Sequence, residues 1–215
     1  MRRHFIIGLM LLFILSNTVR GADIEIPYDG MTLKWNYELH YTNDKYPSWN
    51  YDKESEFLYS YRKIDNYTYI QTDLKDNSED KINISTRTFI EGDEEGKTTS
   101  HWIPKNLTLG DKVLLLDNNY TVVSLSEKVF VDGFGWIEAI ELKFENYTIP
   151  EDLEKNKDKI YEYKYSDSIY YDKVTLIKLK EIGETSYLYD DPYFGEMKIE
   201  SKWYLEIVEN GLDTD

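Results

Sequence analysis

Apolar and polar residues alternate with a period of two along much of this chain, most clearly between Met31 and Thr42. Met31, Leu33, Trp35, Tyr37, Leu39 and Tyr41 fall on one side; Thr32, Lys34, Asn36, Glu38, His40 and Thr42 fall on the other. Successive side chains of a strand point to opposite faces, so this spacing predicts a long strand with one buried and one wet face. Near the other end, Met197, Ile199, Trp203, Leu205 and Ile207 alternate with Lys198, Glu200, Lys202 and Glu206 in the same way. Between them, strands are expected over 56–62, 67–74, 81–90, 98–102, 112–116, 120–131, 136–144, 159–165, 168–171 and 175–182. Each is rich in Tyr, Ile, Val and Thr and bounded by Gly, Asn, Asp or Pro. Turns are signalled at Asp117-Asn118, Asp132-Gly133 and Asp191-Pro192, and the polar stretches 73–80 and 91–96 read as mobile loops. One short helix is expected over 150–156, beginning at Pro150.

This count of strands predicts an all-β, antiparallel domain, since parallel crossovers would need helices that the pattern lacks. One wet face per strand suits a strongly curved sheet or half-barrel, with a β-sandwich as the alternative. The first residues break the pattern: Arg2 and Arg3 precede an 11-residue apolar run from Phe5 to Leu15, and Val19 and Gly21 fit a cleavage site. That order reads as a secretory signal peptide over 1–21, its apolar run forming a signal helix, with a single β-rich extracellular domain over 22–215. The run is shorter than the roughly 20 residues needed to cross a bilayer, so no membrane span is expected once the leader is removed.

The whole chain carries a formal charge of -16, and removing Arg2, Arg3 and Arg20 with the leader takes this to -19. Such an acidic surface repels phosphate backbones and anionic head groups, which argues against nucleic acid as a partner. Cysteine is absent, so disulfides, thiol nucleophiles and Cys-based metal sites are excluded. Its absence from an exported chain, with the abundance of Ile, Lys, Asn, Glu and Tyr, points to a prokaryotic source.

Catalytic signatures are sparse. After the leader only His40 and His101 remain, far apart, with no zinc-ligand spacing and no nucleophile elbow; His101 beside Trp102 reads as a strand-end packing residue. The acidic groups Asp73, Asp76, Asn77, Glu79, Asp80 and Glu91, Asp93, Glu94, Glu95 lack the central Gly and spacing of a calcium loop and read as solvated. No catalytic residue, cofactor or metal ligand is therefore assigned. Five Asn-x-Ser/Thr sequons, at Asn66, Asn83, Asn106, Asn119 and Asn146, are glycosylation candidates. The 20 tyrosines suit cross-strand packing, or alternatively an aromatic platform for a sugar or apolar ligand.

The segment Trp102-Ile-Pro, then Leu109-Gly110-Asp111-Lys112-Val113, then Asn119-Tyr-Thr-Val-Val, and finally Tyr170-Tyr171-Asp172-Lys173 with Thr175 forms a further pattern. It resembles secreted and cell-surface archaeal proteins in which Trp-x-Pro and a Gly-Asp-x-Val hairpin precede a Tyr-Tyr-Asp-Lys-x-Thr-Gly turn. The resemblance spans about residues 102–180, and Leu176 stands where the pattern has Gly, which counts against a tight turn there. It implies a curved antiparallel sheet similar to lipoprotein-carrier half-barrels, and it brings no catalytic residues.

Together these features predict a non-enzymatic secreted or cell-surface archaeal protein, a structural or interaction module whose partners are other surface proteins. The alternative is a carrier holding a lipid or other hydrophobic ligand on a concave aromatic face that includes Trp35, Tyr37, Trp136 and Trp203. A glycan-active enzyme is the third class, and it would require two carboxylates converging beside aromatic rings.

Overall fold

The computed structural model describes residues 27–148, 159–191, 193 and 195–209. The signal helix, the 21/22 domain boundary, the short helix over 150–156 and Pro192 of the Asp191-Pro192 turn lie outside them. The described residues form strands β1 (Thr32–Asn43), β2 (Tyr51–Lys63), β3 (Thr68–Asp73), β4 (Glu79–Asn83), β5 (Thr88–Glu91) and β6 (Lys112–Leu115). They continue with β7 (Asn118–Val131), β8 (Gly135–Thr148), β9 (Lys159–Asp172), β10 (Lys178–Asp191) and β11 (Gly195–Glu209). A 3₁₀ turn at Pro47–Trp49 separates β1 from β2. No described helix is long and apolar enough to cross a membrane.

All eleven strands belong to one antiparallel sheet in the order β5-β4-β3-β2-β1-β11-β10-β9-β8-β7-β6. The fold is thus all-β and built on a curved single sheet, not the two stacked sheets of a sandwich. The alternation in β1 is realised as expected: Leu33 and Trp35 are buried, while Asn36 and Glu38 face solvent. Curvature brings distant strands together, because Phe89 of β5 and Val129 and Val131 of β7 share one apolar cluster with Trp35 and Ile207. A second cluster joins Val113 and Leu115 of β6 to Tyr120, Leu142, Ile169 and Tyr171.

The ladder of strands does not close. Among the described residues, Thr98 alone stands between the two edges, paired with Thr88 on one side and Leu116 on the other. This corrects the expected strand over 98–102. The segment turns inward after Thr98, and the carbonyl of His101 accepts from Lys178 N at 2.8 Å while Ile103 N donates to Leu176 O at 3.1 Å. With Thr99, Ser100, Trp102 and Ile103 buried, it acts as a plug that fills one end of the half-barrel. A continuous strand would leave half of these side chains in water.

Other boundaries differ from expectation: β2 begins at Tyr51 and not at residue 56, β8 runs on to Thr148, and β10 begins at Lys178 and not at residue 175. The expected strand over 81–90 is two strands, β4 and β5, hinged at Arg87, whose φ is +59°. The segments 159–165 and 168–171 are one strand, β9, and β10 continues past residue 182 through Gly183 to Asp191. The tight turn after Thr175 does form: Leu176 itself takes the left-handed conformation, with φ +62°, and donates from its N–H to Asp172 O at 2.7 Å. Its side chain packs against the second apolar cluster, which offsets part of the strain of a branched residue there.

Candidate functional site: an aromatic face above a buried polar cluster

Pairing registers fix which side chains share the inner face. One row runs Phe144 (β8), Asp167 (β9), Gly183 (β10), Trp203 (β11) and Leu39 (β1), each directly opposite the next. The row beyond it runs Asn146, Tyr165, Thr185, Ser201, Tyr41 and Tyr51. On the plugged side of these rows the inner face is filled by Trp35, Ile207 and Tyr171, which are fully buried. Leu39, Trp203 and Tyr165 within these rows, Tyr163 and Tyr187 beyond them, and Tyr37, in the adjacent row with Leu205 and Glu181, are only half-buried.

These rings contact one another across strands. Tyr165 and Trp203 lie 5.5 Å apart between centroids, Tyr163 and Tyr187 4.9 Å, Phe144 and Tyr165 5.6 Å, and Tyr37 and Phe57 5.7 Å. Tyr41 stacks on Tyr51 at 4.9 Å. Gly183 is what lets Trp203 lie down: a Cβ there would sit 2.0 Å from its Cζ2 and 2.2 Å from its Cε2. The indole therefore covers the bare glycine backbone of the neighbouring strand, a known way to restore packing at a strand glycine.

Beneath the rings lies a cluster of polar groups. Trp203 Nε1 donates to Glu181 Oε1 at 3.2 Å, and Lys178 Nζ donates to Glu181 Oε2 at 3.1 Å. Lys178 is buried, donates also to Ser100 Oγ at 3.2 Å and lies over the Trp35 ring, 5.7 Å from its centroid. Its own carbonyl accepts from Trp35 Nε1 at 3.2 Å. A bulge between Lys178 and Lys180 permits this, since it turns Ile177, Lys178 and Leu179 all inward.

Asp167 is 2% exposed, and its Oδ2 accepts from the Tyr120 hydroxyl at 2.6 Å. Its Oδ1 makes no hydrogen bond. Burial, reinforced by the Glu181 charge, pushes the Asp167 carboxyl up to about 7; Tyr120, Lys178 and Tyr165 act the other way. Burial also raises Tyr165, with Asp167 adding to the effect. A carboxyl that titrates near neutrality, with an idle oxygen, is unusual in a packed interior.

The plug carries a second polar chain. His101 packs between Trp35 and Tyr59, 4.8 Å from each centroid, and its Nδ1 bonds the Tyr61 oxygen. Tyr61 in turn donates to Gln71 Oε1 at 3.0 Å, which makes the neutral Nδ1–H tautomer of His101 the consistent one. Burial and the nearby Lys178 ammonium hold the His101 pKa well below its ordinary value.

Of the four expected ligand-face residues, Tyr37 and Trp203 share the open part of the inner face. Trp35 lies on the same face but inside the filled end, and Trp136 stands on the opposite face, 71% exposed beside Phe130 at 5.6 Å. Tyr165 belongs to the tyrosines that suit an aromatic platform, whereas nothing in the sequence sets Asp167, Glu181, Lys178 or Tyr120 apart. Among the sequons, Asn66, Asn106 and Asn119 are exposed. Asn83 Oδ1 accepts from Ser85 N at 3.0 Å and Thr86 N at 3.3 Å, and exposed Asn146 lies in register with Tyr165. His40 is on the outer face, with Nδ1 2.8 Å from Asp52 Oδ1. The two acidic loops touch: Asp80 Oδ1 accepts from Glu94 N at 3.4 Å, and burial raises the Asp80 pKa. Asp73 and Asp76 bond backbone N–H groups two residues on, each at 2.8 Å. Among the described residues, no three His, Asp or Glu side chains converge as a metal site.

No protein-family model matches the chain, and no curated protein is significantly similar to it.

Proposed function

We propose that this is an exported, non-enzymatic binding protein that holds a ligand with substantial apolar surface on its concave aromatic face. The observation that carries this reading is the row of half-buried rings, Tyr37, Tyr165, Trp203, Tyr163 and Tyr187, displayed on one face of a sheet whose other end is tightly plugged. Rings packed only for stability would be expected to be covered, as Trp35 and Tyr171 are. Export is supported by the leader-like first 21 residues and the lack of cysteine. The resemblance to archaeal surface proteins over 102–180 is part of the same proposal, as is glycosylation, for which exposed Asn66, Asn106 and Asn119 are the best placed.

Native mass spectrometry of the chain purified from its source tests the proposal. A mass adduct is expected, and it should be lost from the Tyr165→Ser variant. An empty wild-type chain under gentle conditions overturns it.

One observation favours a glycan-active enzyme. Asp167 and Glu181 do converge beside Trp203 and Tyr165, as a glycosidase pair would. Against it, Asp167 is buried, and both oxygens of Glu181 already accept hydrogen bonds, from Trp203 and Lys178. A substrate oxygen would have to displace these contacts. Turnover of nitrophenyl glycosides that is abolished by Glu181→Gln would establish that reading instead.

A further inference from the structure

The aromatic face and the polar cluster beneath it form one site, and their chemistry names a class of ligand. Tyr165 and Trp203 are in contact, and Trp203 is anchored on Glu181. Tyr37 lies within the field of the same carboxylate. Trp203 thus contacts Glu181 directly while Tyr165 and Tyr37 share its inner face, and the Glu181 side chain is 20% exposed and so reachable from the open part of the face. Asp167 lies in the same inner row as Trp203, one glycine away, with Oδ1 buried and without a hydrogen bond.

Two carboxyl groups, Asp167 and Glu181, stand near one ammonium, Lys178. Lys178 is already committed to Glu181, Ser100 and the Trp35 ring. Among the described residues, the other inward-facing cation near the rows, Lys53, is opposite Leu39 and exposed to water. The cluster therefore carries more acceptor capacity than its own groups satisfy, and a cation seated beside it would favour the charged form of Asp167. Aromatic faces attract cations through their quadrupoles, and a ring cage backed by carboxylate is the usual solution for ammonium groups.

We propose that the face formed by Tyr37, Tyr165 and Trp203 over Glu181 and Asp167 binds an organic cation, an alkylammonium group carried on an apolar body. The proposal rests on the binding reading above and gives it a ligand class. The rings hold the methyl or methylene shell of the cation, Glu181 supplies the facing charge, and Asp167 Oδ1 supplies the unused acceptor behind it. The acidity of the whole chain, -16, raises the local concentration of such ligands.

The test is a titration of the full ¹⁵N-labelled chain with choline and with its neutral carbon isostere, 3,3-dimethylbutan-1-ol, at constant ionic strength. The resonance followed is the Trp203 indole N–H, which reports directly on the bond to Glu181. Choline is expected to move it saturably, and the isostere to bind at least tenfold more weakly. Glu181→Gln should weaken choline at least tenfold and leave the isostere unchanged; the wild-type comparison decides even where that variant folds poorly. Equal affinity for both probes overturns the cation inference while leaving an apolar binding face intact. No saturable response to choline overturns it as well, and the native mass spectrum then judges the binding face separately.

Discussion

At the scale of single residues, Gly183 and Asp167 face each other across β9 and β10, and each breaks a local rule for the sake of its neighbour. A glycine in a strand interior costs roughly 1 kcal/mol relative to alanine, yet here alanine is the worse choice. Its Cβ would meet the Trp203 ring at 2.0 Å, so the indole must lift and give up its bond to Glu181. Gly183→Ala is therefore expected to destabilise by about 1–3 kcal/mol, within the usual range for overpacking. In urea melts, the double variant with Trp203→Leu should cost clearly less than the sum of the two single changes. Additivity would show that ring and glycine are not coupled.

Asp167 has the opposite character, since its native surroundings oppose ionisation. The folded pKa, about 7, lies above the ordinary 3.8, so the folded chain holds a proton that the unfolded chain releases. Stability from this group is complete below about pH 4 and is lost as pH rises toward and through 7, by an amount of order a few kcal/mol. His101 works in the reverse direction. Its folded pKa is lowered, so its contribution is complete above the ordinary 6.5 and is lost as pH falls. Between pH 4 and 7 the two slopes oppose each other, and variants separate them. Melting temperatures of Asp167→Asn should rise with pH across this window, and those of His101→Gln should fall. Parallel pH profiles for the two variants would refute the assignment.

At the scale of elements, the strands that alternation describes best, β1 and β11, are those with unbroken apolar or aromatic inward runs, Leu33 to Tyr41 in one and Trp203 to Ile207 in the other. The expected boundaries fail in an instructive place. β9 reads as two pieces with a gap over Ser166 and Asp167, and β10 appears to end at Ile182, just before Gly183. A buried acid and a strand glycine carry no apolar signal, so the period-two pattern lapses at both. Those two lapses are neighbours in space, and they mark the floor of the candidate site. Tyr37 and Trp203 were legible because they sit in clean alternation; Glu181 and Lys178 were not, because a bulge after Lys178 shifts the phase of the strand. Trp136 shows the limit from the other side, since an aromatic in a strand does not reveal which face it will take.

The bulge also makes a prediction at this scale. Lys178 and Glu181 have side chains only 6% and 20% exposed, so removing the ammonium alone strands a partly buried carboxylate beside Asp167. Lys178→Met should cost about 3–5 kcal/mol, the range for breaking a buried pair. Converting both partners, as Lys178→Met with Glu181→Leu, should recover much of that in chemical denaturation. A double variant no more stable than the single one would mean that Lys178 matters mainly through Ser100 and the Trp35 ring.

At the scale of the whole molecule, an eleven-stranded open sheet exposes two edges, each a template for pairing with another chain. This fold manages both by curling until β5 and β6 approach, and by placing Thr98 between them. The latch is reinforced by Arg87, whose guanidinium donates to Trp102 O at 3.0 Å and Leu114 O at 2.9 Å, with a longer bond to Thr99 O at 3.4 Å. One side chain thus ties β5, the plug and β6. Burial lowers the Arg87 pKa, but a guanidinium keeps its charge in proteins, so the tie holds at any physiological pH. Hydrogen bonds involving a charged group are worth roughly 1.5–3 kcal/mol each, and since those of Arg87 are part-buried to Trp102 and Thr99 and exposed to Leu114, Arg87→Met should cost about 2–4 kcal/mol in all. Loss of the latch should also show locally. Leu116 N–H, which donates to Thr98 O at 2.9 Å, should exchange with solvent markedly faster in the variant, while amides of β1 and β11 keep their protection. If exchange accelerates uniformly across the sheet, the edges are held by the global fold and not by this latch. Because the plug that Arg87 secures also carries Ser100 to Lys178, a loosened latch should weaken choline binding at the far end of the same face.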